Sequence, residues 1–213
     1  NYADTLWGNT LANQIFGMDG NDVIRGDLGA DAIDGGSGSD TVDYTSSSAA
    51  VTVNLVTLLG SGGDAAGDTY VSIENATGSG NADFLYGDSG NNFLSGGNGN
   101  DFIRGGAGTD TINGGGGTDT ADYSDSTAGV TLNLDGSASS GGYAAGDVLL
   151  SIENAIGSDF ADTINGSNAN EILTGGNGDD ILFGNVGSDT LNGDGGDDTL
   201  DGGTGSDTLD GGA

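Results

Sequence analysis

The sequence predicts an all-β solenoid of short stacked strands, and three observations carry that expectation. The phrase Gly-Gly-x-Gly-x-Asp-x-aliphatic-x returns about every nine residues in three stretches, most plainly over 175–183, 184–192, 193–201 and 202–210. A strand alternates faces with period two, whereas a turn needs residues that tolerate positive φ, so each phrase reads as a Gly-rich turn followed by a short strand. The 213 residues include 46 Gly and no Pro, and proline would interrupt the hydrogen-bond ladder of a parallel stack. The chain is also duplicated without a gap. Ser39-Asp40-Thr41-Val42-Asp43-Tyr44 recurs as Thr118-Asp119-Thr120-Ala121-Asp122-Tyr123, and Ser72-Ile73-Glu74-Asn75-Ala76 as Ser151-Ile152-Glu153-Asn154-Ala155, both 79 positions on (119 − 40).

The first repeat block, 1–43, sets Asp4, Asn13, Asp22, Asp31 and Asp40 at the sixth position of successive phrases, with Leu6, Ile15, Ile24, Ile33 and Val42 two places later. Sixth and eighth positions share a strand face, so each acid leans inward beside an aliphatic core residue. An insert, 44–79, follows. Its alternating run Val51-Thr52-Val53-Asn54-Leu55 predicts a half-buried strand, with a Gly-rich bend and a second strand around Val71-Ser72-Ile73. Block 80–122 repeats the phrase with Asp83, Asn92, Asp101, Asp110 and Asp119, and insert 123–158 repeats the strands as Val130-Thr131-Leu132-Asn133-Leu134 and Leu150-Ser151-Ile152. Block 159–213 carries Asp162, Glu171, Asp180, Asp189, Asp198 and Asp207. A segment of roughly 35 residues buries too little to stand alone, so the inserts are expected to be wider turns of one continuous solenoid. Asn1-Tyr2-Ala3-Asp4 resembles the exits of both inserts and Gly211-Gly212-Ala213 opens a further phrase, so the chain reads as a piece of a longer protein.

The phrase resembles the nonapeptide of the RTX family, whose repeats build a right-handed parallel β-roll or β-helix loaded with calcium. The resemblance implies that two nonapeptides make one turn of the roll, and that turns eighteen residues apart stack and share an ion. The carboxylates it implicates are Asp4, Asp22, Asp31, Asp40, Asp83, Asp101, Asp110, Asp119, Asp162, Asp180, Asp189, Asp198 and Asp207. Turn carbonyls at Gly36, Gly38, Gly97, Gly99, Gly106, Gly108, Gly176, Gly178, Gly203 and Gly205 would complete shells of about six to eight oxygens. The pairs Asp22 with Asp40, Asp101 with Asp119, Asp180 with Asp198 and Asp189 with Asp207 would each supply two carboxylates, and about ten calcium ions are expected over the whole array. Asn13, Asn92 and Glu171 depart from the motif at the same place in each block, and Leu11 and Ala169 replace a turn glycine there, so sites needing those turns are not counted. Glu74 and Glu153 are read either as ligands within the inserts or as surface carboxylates.

Composition narrows the function. Thirty-three acidic residues against two arginines give a formal charge of −31, which repels nucleic-acid phosphates and anionic membranes and selects cations as partners. Low hydrophobicity with high charge is also the composition of a disordered chain, so order is expected to require calcium. No apolar stretch approaches the ~20 residues of a membrane span. With no His, Cys or Lys, the usual general bases, thiolates and Schiff-base amines are missing, and catalysis by this segment is not expected. The third turn position reads Asp19, Leu28, Ser37, Asn98, Ala107 and Gly116, without the Thr or Asn ladder an ice-binding face needs. Arg25, Arg104, Trp7, Phe16, Tyr86 and Phe183 fall at the outward ninth position, as solvated residues or an aromatic patch. The resulting expectation is a calcium-dependent structural module of a secreted or cell-surface protein, adhesin-like or surface-layer-like, that folds after type I export and is open to end-to-end association. The alternative is the non-catalytic repeat region of a secreted protease, lipase or epimerase.

Overall fold

The computed structural model describes residues 2–213, an all-β parallel roll with two short 3-10 turns as its only helical elements among the described residues. Consecutive phrases alternate between two ladders. One face stacks Thr5–Trp7, Val23–Arg25, Thr41–Asp43, Asn75–Thr77, Phe93–Asn98, Thr111–Gly116 and Val148–Leu150, all parallel. Antiparallel bridges at Ala138 and Ser140 join that run to Thr131–Asn133, Thr163–Asn165, Ile181–Phe183 and Thr199–Asp201. The other face is a 12-stranded sheet running from Gln14–Phe16 to Thr208–Asp210.

Each insert feeds both faces. After Thr41–Asp43 on the first face, the chain crosses to lay Thr52–Asn54, Leu59–Ser61 and Thr69–Val71 on the second, then returns as Asn75–Thr77. Leu59–Ser61 runs antiparallel to both neighbours, a reversal made at Leu58, whose φ is 61°. The second strand of each insert is Thr69–Val71 or Val148–Leu150, two residues earlier than the pattern predicts. Ser72 and Ser151 both adopt φ 50°, a left-handed conformation that ends the strand. Insert 123–158 repeats this path with the faces exchanged. It gives Thr131–Asn133, the 138–140 segment and Val148–Leu150 to the first face, and Asn154–Ile156 to the second. A residue and its copy one unit later therefore lie on opposite faces, as Thr5–Trp7 and Phe84–Tyr86 do, and both faces reach twelve rungs.

One inward side chain per rung fills the space between the ladders. Ile24, Ile33, Val42, Leu85, Leu94, Ile103, Ile112, Leu132, Ile164, Leu173, Leu182 and Leu191 are fully buried. At about 1.5–3 kcal/mol each, they supply the roll's apolar stabilisation through a core only one residue deep per strand. Tyr44, Tyr70 and Tyr123 join that core from the inserts. Outside, Trp7 and Phe16 are 74% and 56% exposed, while Tyr86 and Phe183 are half-buried. Arg25 pairs with Asp43, and Arg104 with Asp122 and Asp125, so both cations are engaged within the chain.

Candidate metal centre

The strand pairing sets acids eighteen residues apart directly over one another. The Asp4 amide donates to Asp22 Oδ1 and the Asp22 amide to Asp40 Oδ1, both at 2.8 Å. The same link joins Asn13 to Asp31, Asp83 to Asp101, Asp101 to Asp119, Asn92 to Asp110, Asp162 to Asp180, Asp180 to Asp198, Glu171 to Asp189 and Asp189 to Asp207. Each Oδ1 is thereby committed to the ladder. The second oxygen is not: Oδ2 of Asp22, Asp31, Asp40, Asp101, Asp110, Asp119, Asp180, Asp189 and Asp198, and Oε2 of Glu171, are buried with no hydrogen-bond partner.

Carbonyl oxygens meet these orphans where the first glycine of the turn lacks a side chain. A Cβ on Gly184 would lie 2.5 Å from Asp189 Oδ2 and 2.7 Å from the Gly202 carbonyl oxygen of the next turn. A Cβ on Gly17 would overlap both Asp22 Oδ2 and the Gly35 carbonyl oxygen. A carboxylate oxygen and a carbonyl from adjacent turns thus converge on a space that glycine alone leaves open. The glycines at the second and fourth positions, namely Gly36, Gly38, Gly97, Gly99, Gly106, Gly108, Gly176, Gly178, Gly203 and Gly205, all have positive φ. A carbonyl of the turn below lies against each, Met18 beneath Gly36 and Gly20 beneath Gly38, so the turn carbonyls stack in columns.

No three acidic side chains converge among the described residues, so the donor set is carboxylate plus carbonyl rather than a carboxylate cage. Those are hard oxygens, the kind calcium prefers. Burial pushes Asp110 up to about 7, helped by the charges of Asp147 and Asp88. Burial likewise raises Asp101 and Asp180 to about 6, with their stacked acid neighbours adding to the shift. A carboxyl raised in the fold stabilises the fold most below its unfolded value, and that contribution is lost as pH rises through the folded value. In chelator the roll should therefore gain stability as pH is lowered from about 8 to about 5. In calcium the reverse competition applies, and the half-saturating calcium concentration should rise as pH falls through about 7 to 6, read by a calcium titration at each pH. A pH-independent midpoint would refute ligation by these acids.

A family model described as the RTX calcium-binding nonapeptide repeat matches residues 7–42, 77–110, 86–121, 156–191 and 183–213, more than half of the chain. The chain belongs to the RTX calcium-binding repeat family. Among curated proteins, none matches its sequence.

Several turns depart from the regular RTX arrangement. Asp83 and Asp162, expected among the ligands, have no free oxygen. Ser79 donates its amide to Asp83 Oδ2 at 2.5 Å and its hydroxyl to Oδ1 at 2.9 Å, while the Val51 amide also donates to Oδ1 at 2.7 Å. Ser158 and Val130 do the same for Asp162. Asn92 closes its own turn by accepting the Asp88 amide on Oδ1 at 2.9 Å, and donates Nδ2 to the Glu74 carbonyl of the neighbouring rung at 2.7 Å. Glu171, left aside on sequence grounds, presents an orphaned oxygen like the RTX aspartates, its other oxygen accepting from Ser167. Asp4 lies exposed on the first rung and Asp207 half-buried on the last. Glu74 and Glu153 stand in for a sixth-position acid by accepting the amides of Asp40 and Asp119 at 2.8 and 2.9 Å. No signal in the sequence separates these last two from surface carboxylates, because only the fold brings them over residues 34 positions away.

Proposed function

We propose that this chain is a calcium-binding structural module of a secreted or cell-surface protein, which folds on meeting calcium outside the cell. The ten orphaned carboxylate oxygens carry this reading. A buried ionised oxygen left unpaired costs about 1–3 kcal/mol or more, and ten of them would consume the roughly 5–15 kcal/mol by which a domain is stable. At neutral pH a bound cation would offset that cost for the ionised oxygens, and the carbonyl columns beside them suit calcium. The ions would sit between stacked turns, held by Asp22, Asp31, Asp40, Asp101, Asp110, Asp119, Glu171, Asp180, Asp189 and Asp198, with turn carbonyls and water completing each shell. Pairing across both inserts supports a single rod of twelve rungs, about 55 Å long at ~4.8 Å per rung. Duplicated inserts that hold the roll in register favour a long surface protein over the short tail of an enzyme.

Calcium titration by equilibrium dialysis and calorimetry tests the ligand set. Asp101→Ala and Asp180→Ala should each lose bound calcium and lower the cooperativity of binding. Asp64→Ala, in an insert position that is Tyr143 in the other copy, should bind as the parent does. Equal effects of all three would refute the assignment.

A further inference from the structure

Besides Glu74 and Glu153, the inserts contain two further acids in the sixth-position role that the repeat pattern does not mark. Asp68 and Asp147 are fully buried, and each accepts the amide of the acid beneath it, Asp31 to Asp68 Oδ1 at 2.8 Å and Asp110 to Asp147 Oδ1 at 2.7 Å. The strand register agrees, pairing Ala32 with Thr69 and Thr111 with Val148. They should therefore show the same orphaned second oxygen, and they do not. Tyr44 donates its hydroxyl to Asp68 Oδ2 at 2.7 Å, and Tyr123 donates to Asp147 Oδ2 at 2.8 Å. Both rings are 1% exposed, and in the first insert Tyr70 adds a further hydroxyl 2.7 Å from that of Tyr44. The two tyrosines occupy equivalent positions in the two copies, as do the two aspartates.

We infer that Tyr44 and Tyr123 keep metal out of two turns: their buried hydroxyls do for Asp68 and Asp147 what an ion does for the orphaned acids, making each insert a calcium-independent lock. This rests on the calcium reading above only in its contrast with the other turns. A neutral O–H satisfies one lone pair of the carboxylate without a counter-ion, and the ring fills the space an ion and its waters would need. The roll is thus fastened, between metal-loaded stretches, by contacts that need no ion of their own.

The test is the thermal midpoint of the full chain as a function of calcium concentration, for the parent, Tyr44→Phe, Tyr123→Phe and Asp101→Ala. The slope of Tm against the logarithm of calcium reports how many ions unfolding releases. Phenylalanine keeps the ring in place and removes only the hydroxyl, so both tyrosine variants should lose about 3–10 °C at every calcium concentration while keeping the parent's slope. Asp101→Ala should flatten the slope. Tyrosine variants that flatten it would place an ion at Asp68 or Asp147 and overturn the proposal, as would unchanged midpoints. A parent with zero slope would instead defeat the calcium reading, while a parallel drop in the tyrosine variants would still support the lock.

Discussion

Excess chelator near neutral pH should abolish the strand signal in circular dichroism and swell the chain. With calcium withdrawn, ten buried carboxylate oxygens are left unpaired beside turn carbonyls, and the two arginines are already paired elsewhere. Only the folded form assembles the ion sites, so calcium stabilises it by mass action, about 2.7 kcal/mol for each ion held at a hundred times its dissociation constant. Several such ions exceed the stability of an ordinary domain, and the one-residue-deep core cannot compensate for their loss. Small-angle scattering should change from a rod about 55 Å long in millimolar calcium to a coil whose radius of gyration approaches the roughly 50 Å of an unfolded chain of this length. Identical circular dichroism and scattering in chelator and in calcium would show that the roll stands without metal. The locks predict a finer detail: as calcium is lowered stepwise, the tyrosine-containing inserts should be the last parts to lose amide protection.

Gly115→Ala should destabilise the loaded roll severely, whereas Gly80→Ala should leave it unchanged or slightly more stable. Gly115 has φ 102°, and an added Cβ would overlap the Gly97 carbonyl oxygen and lie 2.9 Å from its carbonyl carbon. The backbone conformation alone costs alanine about 1–3 kcal/mol. The collision involves backbone on a paired rung, so relief means parting Phe93–Asn98 from Thr111–Gly116. Gly80 meets nothing within 4 Å and shows no positive φ, so alanine there only restricts the unfolded chain, a gain of about 0.4–1 kcal/mol. Thermal melts in saturating calcium would separate the two, and equal midpoints would mean that carbonyl stacking does not limit the turn.

What could be read from sequence was whatever repeats locally. The nine-residue period placed Val23–Arg25 and its equivalents, and the shared face of sixth and eighth positions accounts for the burial of Asp22 beside Ile24. The resemblance supplied stacking at eighteen residues, which the amide-to-Oδ1 links follow. Features made by long-range closure escaped. Tyr44 and Asp68 lie 24 residues apart with no local pattern joining them. Ser79 and Ser158 carry no mark in the repeat pattern, yet their hydroxyls and amides consume Asp83 and Asp162. The antiparallel Leu59–Ser61 is short and glycine-containing, so neither alternation nor β-branching announced it.

The exchange of faces between units has a mechanical consequence. One insert by itself lengthens one side of the roll by two more rungs than the other, a wedge of about 10 Å that would bend the stack. The second insert adds the same two-rung excess to the opposite face, so the two cancel and the rod is expected to run straight. Curvature is therefore set by the parity of the inserts: excising one of them would yield an arc, and a longer array of identical units would trace a shallow, self-correcting zigzag with successive units presenting their outer residues on alternate flanks.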